Sequence, residues 1–214
     1  MKKVYLLLLL TSLWVASSCT KKEILTSLPY YNSADFTPEW IEKSDPSYQD
    51  IHTIDAFSLT NQDGETIENA SLEGSIYVAD FFFTICPSIC PKMTSHLSKI
   101  QKYFSAEQVK IVSYSVMPWA DSVSVLKNYA EVKDINSEQW YLLTGDTEAI
   151  YKLARQSFFA EKEIGLNKSS DEFLHTENFI LVDTKGRIRG VYNGTLPIEM
   201  SRLKQDIETL LELG

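Results

Sequence analysis

Cys86-Pro87-Ser88-Ile89-Cys90-Pro91 sets two thiols four positions apart, each followed by proline, at the end of a strongly apolar run. A spacing of four can bring both side chains to one side of a helical turn. Two sulfurs bound to one ion lie roughly 3.5–4 Å apart, given metal–thiolate bonds of about 2.3 Å. A disulfide closes the gap to about 2.05 Å. The pair therefore suits either metal binding or electron exchange. A helix N-terminus just after the pair would lower a thiol pKa, and the thiolate is both ligand and nucleophile. A purely structural bridge is a third reading, and it would stabilise little because the loop it closes is short.

Two sulfurs alone make a weak metal site, so a further donor is needed. The chain offers His52, His96 and His175. His96 falls on the outgoing helix, six residues after Cys90, and is expected at the surface, turned away from the cysteines. His52 precedes the first hairpin and is expected to be structural or solvent-facing. His175 stands at the end of a charged stretch, just before an apolar strand, and is the third ligand this reading selects. Two thiolates and an imidazole form a soft set that favours Cu(I) and also accommodates Cu(II). A structural zinc site would call for a fourth protein ligand, and none is evident, so copper is the better inference.

The elements that must position these residues follow from periodicity. Ile54–Leu59 and Glu65–Ile67, joined by Asn61-Gln62-Asp63-Gly64, read as a small hairpin. Ile76–Phe83 is apolar on both faces apart from Asp80, which suits a central strand covered on both sides. Pro91 fits the first turn of a helix, and Met93, Leu97, Ile100 and Phe104 recur at helical spacing. Strands are expected at Val109–Val116 and Trp140–Leu143. Helices are expected after the Asp121-Ser122 cap, carrying Val125, Leu126 and Tyr129, and after Asp146-Thr147. Phe158–Asp171 reads as a mobile loop. Phe179–Val182 and Arg187–Tyr192 form a second hairpin, and Pro197–Leu213 a last amphipathic helix with Ile198, Leu203, Ile207, Leu210 and Leu211 on its inner side. Strands alternating with helices, then a hairpin and helix, imply an α/β fold: a thioredoxin-like sandwich with a mixed central sheet, flanking helices and an extra N-terminal β-hairpin.

The first residues carry a different kind of information. Met1-Lys2-Lys3 is a basic start, Val4–Leu10 a short apolar stretch, and Ala16-Ser17-Ser18 leads into Cys19. The stretch is too short for a spanning helix and reads as a secretory signal. Small residues directly ahead of a cysteine resemble a bacterial lipobox, which would make Cys19 the lipidated first residue of the mature chain. That also settles the count of three cysteines in an oxidising compartment: one lipidated, two paired. The expected organisation is a lipoprotein signal peptide over 1–18, a tether and surface arm over 19–50, and a thioredoxin-like domain over 51–214. Removing residues 1–18 takes away two lysines and no acid, moving the side-chain balance from −9 to −11. So acidic a body is a poor nucleic-acid binder.

With Phe83-Thr84-Ile85-Cys86-Pro87-Ser88-Ile89-Cys90-Pro91 and His175 in place, the chain resembles the Sco/SenC family, the copper-binding, thioredoxin-like proteins of cytochrome c oxidase assembly. The resemblance runs from about Ile51 to Leu211 and rests on the T-x-C-P-x-x-C-P signature with a downstream histidine. It implies that Cys86, Cys90 and His175 bind copper as Cu(I), Cu(II) or both. It further implies that the protein delivers copper to the oxidase's copper-centre subunit, or another acceptor, or reduces that subunit's cysteines. Membrane attachment would run through the Cys19 lipid, facing the periplasm or cell exterior, where many relatives use a transmembrane helix. Ser115-Val116-Met117-Pro118-Trp119-Ala120-Asp121 stands where many relatives carry Ser-Val-Asp-Pro-x-x-Asp, so Met117 replaces an acid while Asp121 keeps the second. Thr176 follows His175 in place of the common serine. The alternative is a metal-independent extracytoplasmic thiol–disulfide oxidoreductase with Cys86 and Cys90 as its redox pair. The three-residue spacer counts against it, since thioredoxin-type enzymes favour Cys-x-x-Cys.

Overall fold

The computed structural model describes residues 27–160 and 176–213. The expected signal peptide, Cys19 and His175 lie outside the described residues, as does most of the expected loop before His175. Strands and helices alternate through the body in the expected order, around one central strand.

That strand, β5 (Tyr77–Phe82), is buried along its whole length. The earlier elements are two two-stranded hairpins, β1 (Tyr30–Tyr31) with β2 (Pro38–Glu39) and β3 (Ser58–Thr60) with β4 (Thr66–Glu68), followed by the short helix α1 (Asn69–Leu72). After β5 come α2 (Cys90–Tyr103), β6 (Lys110–Ser115), α3 (Val123–Lys133), β7 (Trp140–Leu143) and α4 (Thr147–Lys152), which runs on as a π-turn over Leu153–Ser157. The hairpin β8 (Asn178–Val182) and β9 (Ile188–Asn193) and the helix α5 (Pro197–Leu213) close the chain. The main sheet runs β7-β6-β5-β8-β9, with β5, β6 and β7 parallel and β8 and β9 antiparallel. It is the mixed sheet of a thioredoxin-like fold, with the β3–β4 hairpin bridged to it through Thr60 and Thr144.

Alternation along β5 divides the core in two. Tyr77, Ala79 and Phe81 face one side, with Tyr114, Tyr151 and Phe158; Val78 and Phe82 face the other, with Met93, Leu97, Leu126 and Leu203. Asp80 belongs by the same alternation to the second face, the side that carries α2. Ser122 caps α3 by accepting a hydrogen bond from the Val125 N–H, and Asp146 caps α4 through the Ala149 N–H. Asp121 is not part of that cap: it turns inward, for reasons given below.

The arm before β3 holds more structure than its irregular composition suggests. The Arg189 guanidinium lies 4.0 Å from the Tyr30 ring centre and donates to the Leu28 and Pro29 carbonyls, while Arg187 lies 4.2 Å from the Tyr48 ring. These contacts clamp the arm onto the outer strand β9. Two expectations fail here. Phe158, Phe159 and Ala160, assigned to a loop, are buried and seal the Tyr114 side of the core. Ile198, assigned to the inner face of α5, is 75% exposed. It lies one residue into the helix, before the packed stripe of Leu203, Ile207 and Leu210 begins.

Candidate metal centre

Cys86 and Cys90 sit where β5 ends and α2 begins. The Cys86 N–H donates to the Phe83 carbonyl at 3.3 Å, closing a tight turn. Cys90 is the first residue of α2, with Pro91 next in the first turn, where its missing N–H costs nothing. Both cysteines carry free thiols. Cys86 is partly exposed and Cys90 is 5% exposed, packed among Val78, Phe82 and Met93.

Their environments push the two thiols in opposite directions. Burial works against the Cys86 thiolate, but hydrogen bonds from the Cys90 thiol and from the backbone N–H groups of Cys90, Ser88 and Ile89 outweigh it. The Cys86 thiol is therefore held below its ordinary pKa. Burial pushes Cys90 up to about 12, and the bond to Cys86 and the nearby Asp80 carboxyl push the same way. Cys86 is thus the more readily ionised of the pair, and the Cys90 thiol donates a hydrogen bond to it.

A buried polar layer lies under the pair. Asp80 accepts from Ser113 Oγ, which in turn accepts from Trp140 Nε1 at 2.8 Å. Burial raises the Asp80 carboxyl to about 7, the Ser113 hydrogen bond opposing it. Tyr129 closes the side next to Phe82: its hydroxyl pairs with Thr94 Oγ1 at 2.9 Å and its ring centre is 5.7 Å from that of Phe82. Asp121, fully buried, accepts from Thr84 N, from Thr84 Oγ1 at 2.5 Å and from Ser115 Oγ at 2.5 Å. One carboxylate thereby ties the cysteine turn to the end of β6. Sequence reasoning placed Asp121 at a helix cap and did not find this tie, because Thr84 lies 37 residues away.

The histidines divide as follows. His96 is buried, not superficial: its Nδ1 donates to the Gly194 carbonyl at 2.8 Å, linking α2 to the loop after β9. Gly194 is required there, since a Cβ would come within 2.8 Å of the Phe179 ring. His52 is structural, its Nε2 donating to the Ser157 carbonyl at 2.8 Å. Neither meets the cysteines. Among the described residues no group of three or more His, Cys, Asp and Glu side chains is gathered closely enough to hold an ion. His175 is outside the described residues, but β8, which starts three positions later, pairs antiparallel with β5. Its first residues therefore lie at the sheet end from which the cysteine turn emerges.

The family profile described as SCO1/SenC matches residues 45–212. The chain belongs to the SCO1/SenC family. A SCO1 protein homolog of Bacillus subtilis (strain 168) is 36% identical over 146 residues, 67% of this chain and 75% of that protein. Among solved structures, BsSco, a member of the Sco family of cytochrome c oxidase assembly proteins in which a disulfide switch was identified, is 33% identical. It superposes with a TM-score of 0.64 over 77% of this chain and 96% of its own. ScoI of Bradyrhizobium japonicum with copper bound is 26% identical, with a TM-score of 0.54 over 72% of this chain and 98% of that one. The donor chemistry here suits a soft ion of that kind: two adjacent sulfurs, one already biased to thiolate.

Proposed function

We propose that this SCO1/SenC protein is a copper metallochaperone that assists assembly of the copper centre of cytochrome c oxidase. Cys86, Cys90 and His175 are its ligands, and copper is its cargo. The observation that carries the reading is the thiol pair itself: two free sulfurs in hydrogen-bond contact, at a strand exit, with the Cys86 thiol held below its ordinary pKa. The copper-bound relative and the oxidase-assembly relative support it by their likeness to this chain. Cys86, partly exposed, gives an acceptor's ligands access to the ion, while buried Cys90 keeps hold until exchange is complete. An imidazole from a segment far along the chain can leave without disturbing the cysteine turn, as handing on a metal requires.

The same pair supports a second activity. The Cys86 thiolate can attack a partner disulfide, forming a mixed disulfide and releasing one partner thiolate. Cys90, once deprotonated, then attacks Cys86 sulfur, forming the Cys86–Cys90 disulfide and releasing the second partner thiolate. That chemistry would prepare the cysteines of a copper-accepting subunit before metal is delivered. We further propose that residues 1–18 direct export, that Cys19 carries a lipid, and that the 51–214 domain faces the periplasm or cell exterior from that anchor.

Titration of the reduced chain with copper, followed by thiolate-to-copper absorption, tests the carrier role. One equivalent should bind, and His175→Ala should sharply lower retention. Unchanged stoichiometry and affinity in that variant, with dithiol exchange intact in both, would leave the metal-independent oxidoreductase as the correct account.

A further inference from the structure

The cysteine turn has a neighbour on its other flank. In the sheet order, β5 lies between β8, which His175 precedes, and β6. The β5–β6 register pairs Phe82 with Ser115, and the Val116 N–H closes the ladder on the Phe82 carbonyl at 2.9 Å. Beyond that pair both chains leave the sheet, and Asp121 joins them: its carboxylate accepts from the Thr84 N–H and from Ser115 Oγ, which in turn accepts from the Met117 N–H. Alternation along β6 carries Ser113 and Ser115 on the face shared with Asp80 and α2, and Met117 stands two residues beyond the strand end.

The Met117 backbone is held firmly. Its carbonyl accepts from the Ala120 N–H at 2.8 Å and the Asp121 N–H at 2.9 Å, and its own N–H donates to Ser115 Oγ at 3.2 Å. Asp121 is also the residue that holds Thr84, so a single buried carboxylate sets both the cysteine turn and Met117. The Met117 side chain is half-buried and belongs to neither buried core cluster of the described residues. A thioether on three rotatable bonds is therefore fixed at its root, on a backbone that shares Asp121 with the cysteine turn.

We propose that the Met117 thioether is a further donor to Cu(I) held by Cys86 and Cys90. The inference rests on the copper reading above. Thioether sulfur is soft and selects Cu(I), so this donor supports the reduced ion from the β6 side when the imidazole on the β8 side is not engaged. The copper then never falls to two ligands during transfer.

The test uses the full reduced chain with one equivalent of Cu(I), in the His175→Ala background, with methionine sulfur replaced biosynthetically by selenium. X-ray absorption at the copper edge should show a copper–selenium path beside two copper–sulfur paths. Adding Met117→Leu, which keeps the apolar bulk, should abolish that path. It should also weaken Cu(I) binding, measured by competition with a colorimetric chelator, at least about tenfold. Met93, three residues after Cys90 but 1% exposed in the core, is the other methionine of this region. A selenium path that survives Met117→Leu, or no such path in either chain, overturns the proposal. Selenium labelling leaves the fold intact, so the first measurement stands even if Met117→Leu is unstable. If the parent chain fails to hold Cu(I) through Cys86 and Cys90, the carrier reading falls first and this inference with it.

Discussion

Asp80→Asn should make the protein more stable at neutral pH, by an amount that depends on pH in a calculable way. Asp80 is 3% exposed, and asparagine preserves its size and an oxygen to accept from Ser113 Oγ. Burial raises the folded carboxyl to about 7, against about 3.9 in an unfolded chain. The difference is about 3 units, and at about 1.4 kcal/mol per unit it amounts to roughly 4 kcal/mol. Between those two values the unfolded chain has released its proton while the folded chain still holds it. Stability therefore falls as pH rises through that window; the contribution is complete below about pH 4 and lost above about pH 7. Asparagine has no proton to lose. The assay is urea unfolding of the reduced, metal-free parent and variant at intervals from pH 4 to pH 8. Asp206, also raised by burial, titrates in both chains and cancels in the difference. The stability of the variant minus that of the parent should climb by about 4 kcal/mol across the range. A difference that stays flat would refute the reasoning, because the carboxylate would then be as well solvated inside the protein as in water.

Two further outcomes follow from the same geometry. At pH 8 iodoacetamide should modify Cys86 well before Cys90, as read by peptide mass mapping, because Cys86 is the exposed, thiolate-biased partner and Cys90 is buried and raised to about 12; equal rates would contradict the assignment. Asp121→Ala leaves the Thr84 N–H and the Thr84 and Ser115 hydroxyls without their acceptor. It should lower unfolding free energy by about 3 kcal/mol and reduce copper retention as the cysteine turn loosens. A parent-like urea midpoint would count against the tie.

Much of the site was legible because its causes are local. The apolar run of β5, the proline behind each cysteine and the helical spacing of Met93, Leu97 and Ile100 all act over a few residues. They sufficed to put both cysteines in a turn ahead of a helix starting at Pro91; the helix in fact begins one residue earlier, at Cys90. Capping by Ser122 and Asp146 was readable for the same reason. His175 was chosen from its place just before an apolar strand, and it lies outside the described residues.

What the tertiary structure decided are the partners that meet across the sheet. Ser113 reaches Asp80 over 33 residues, Gly194 receives His96 over 98, and Asp121 joins Thr84 to Ser115 only because parallel β5 and β6 end side by side. Phe158 became core, and the N-terminal arm gained its two short strands, because Tyr114 and the β9 arginines were there to receive them. Periodicity in a sequence says which face of an element is apolar. It carries no term for the register between strands far apart in the chain, and that register sets Ser115 beside Phe82 at the foot of the cysteine turn.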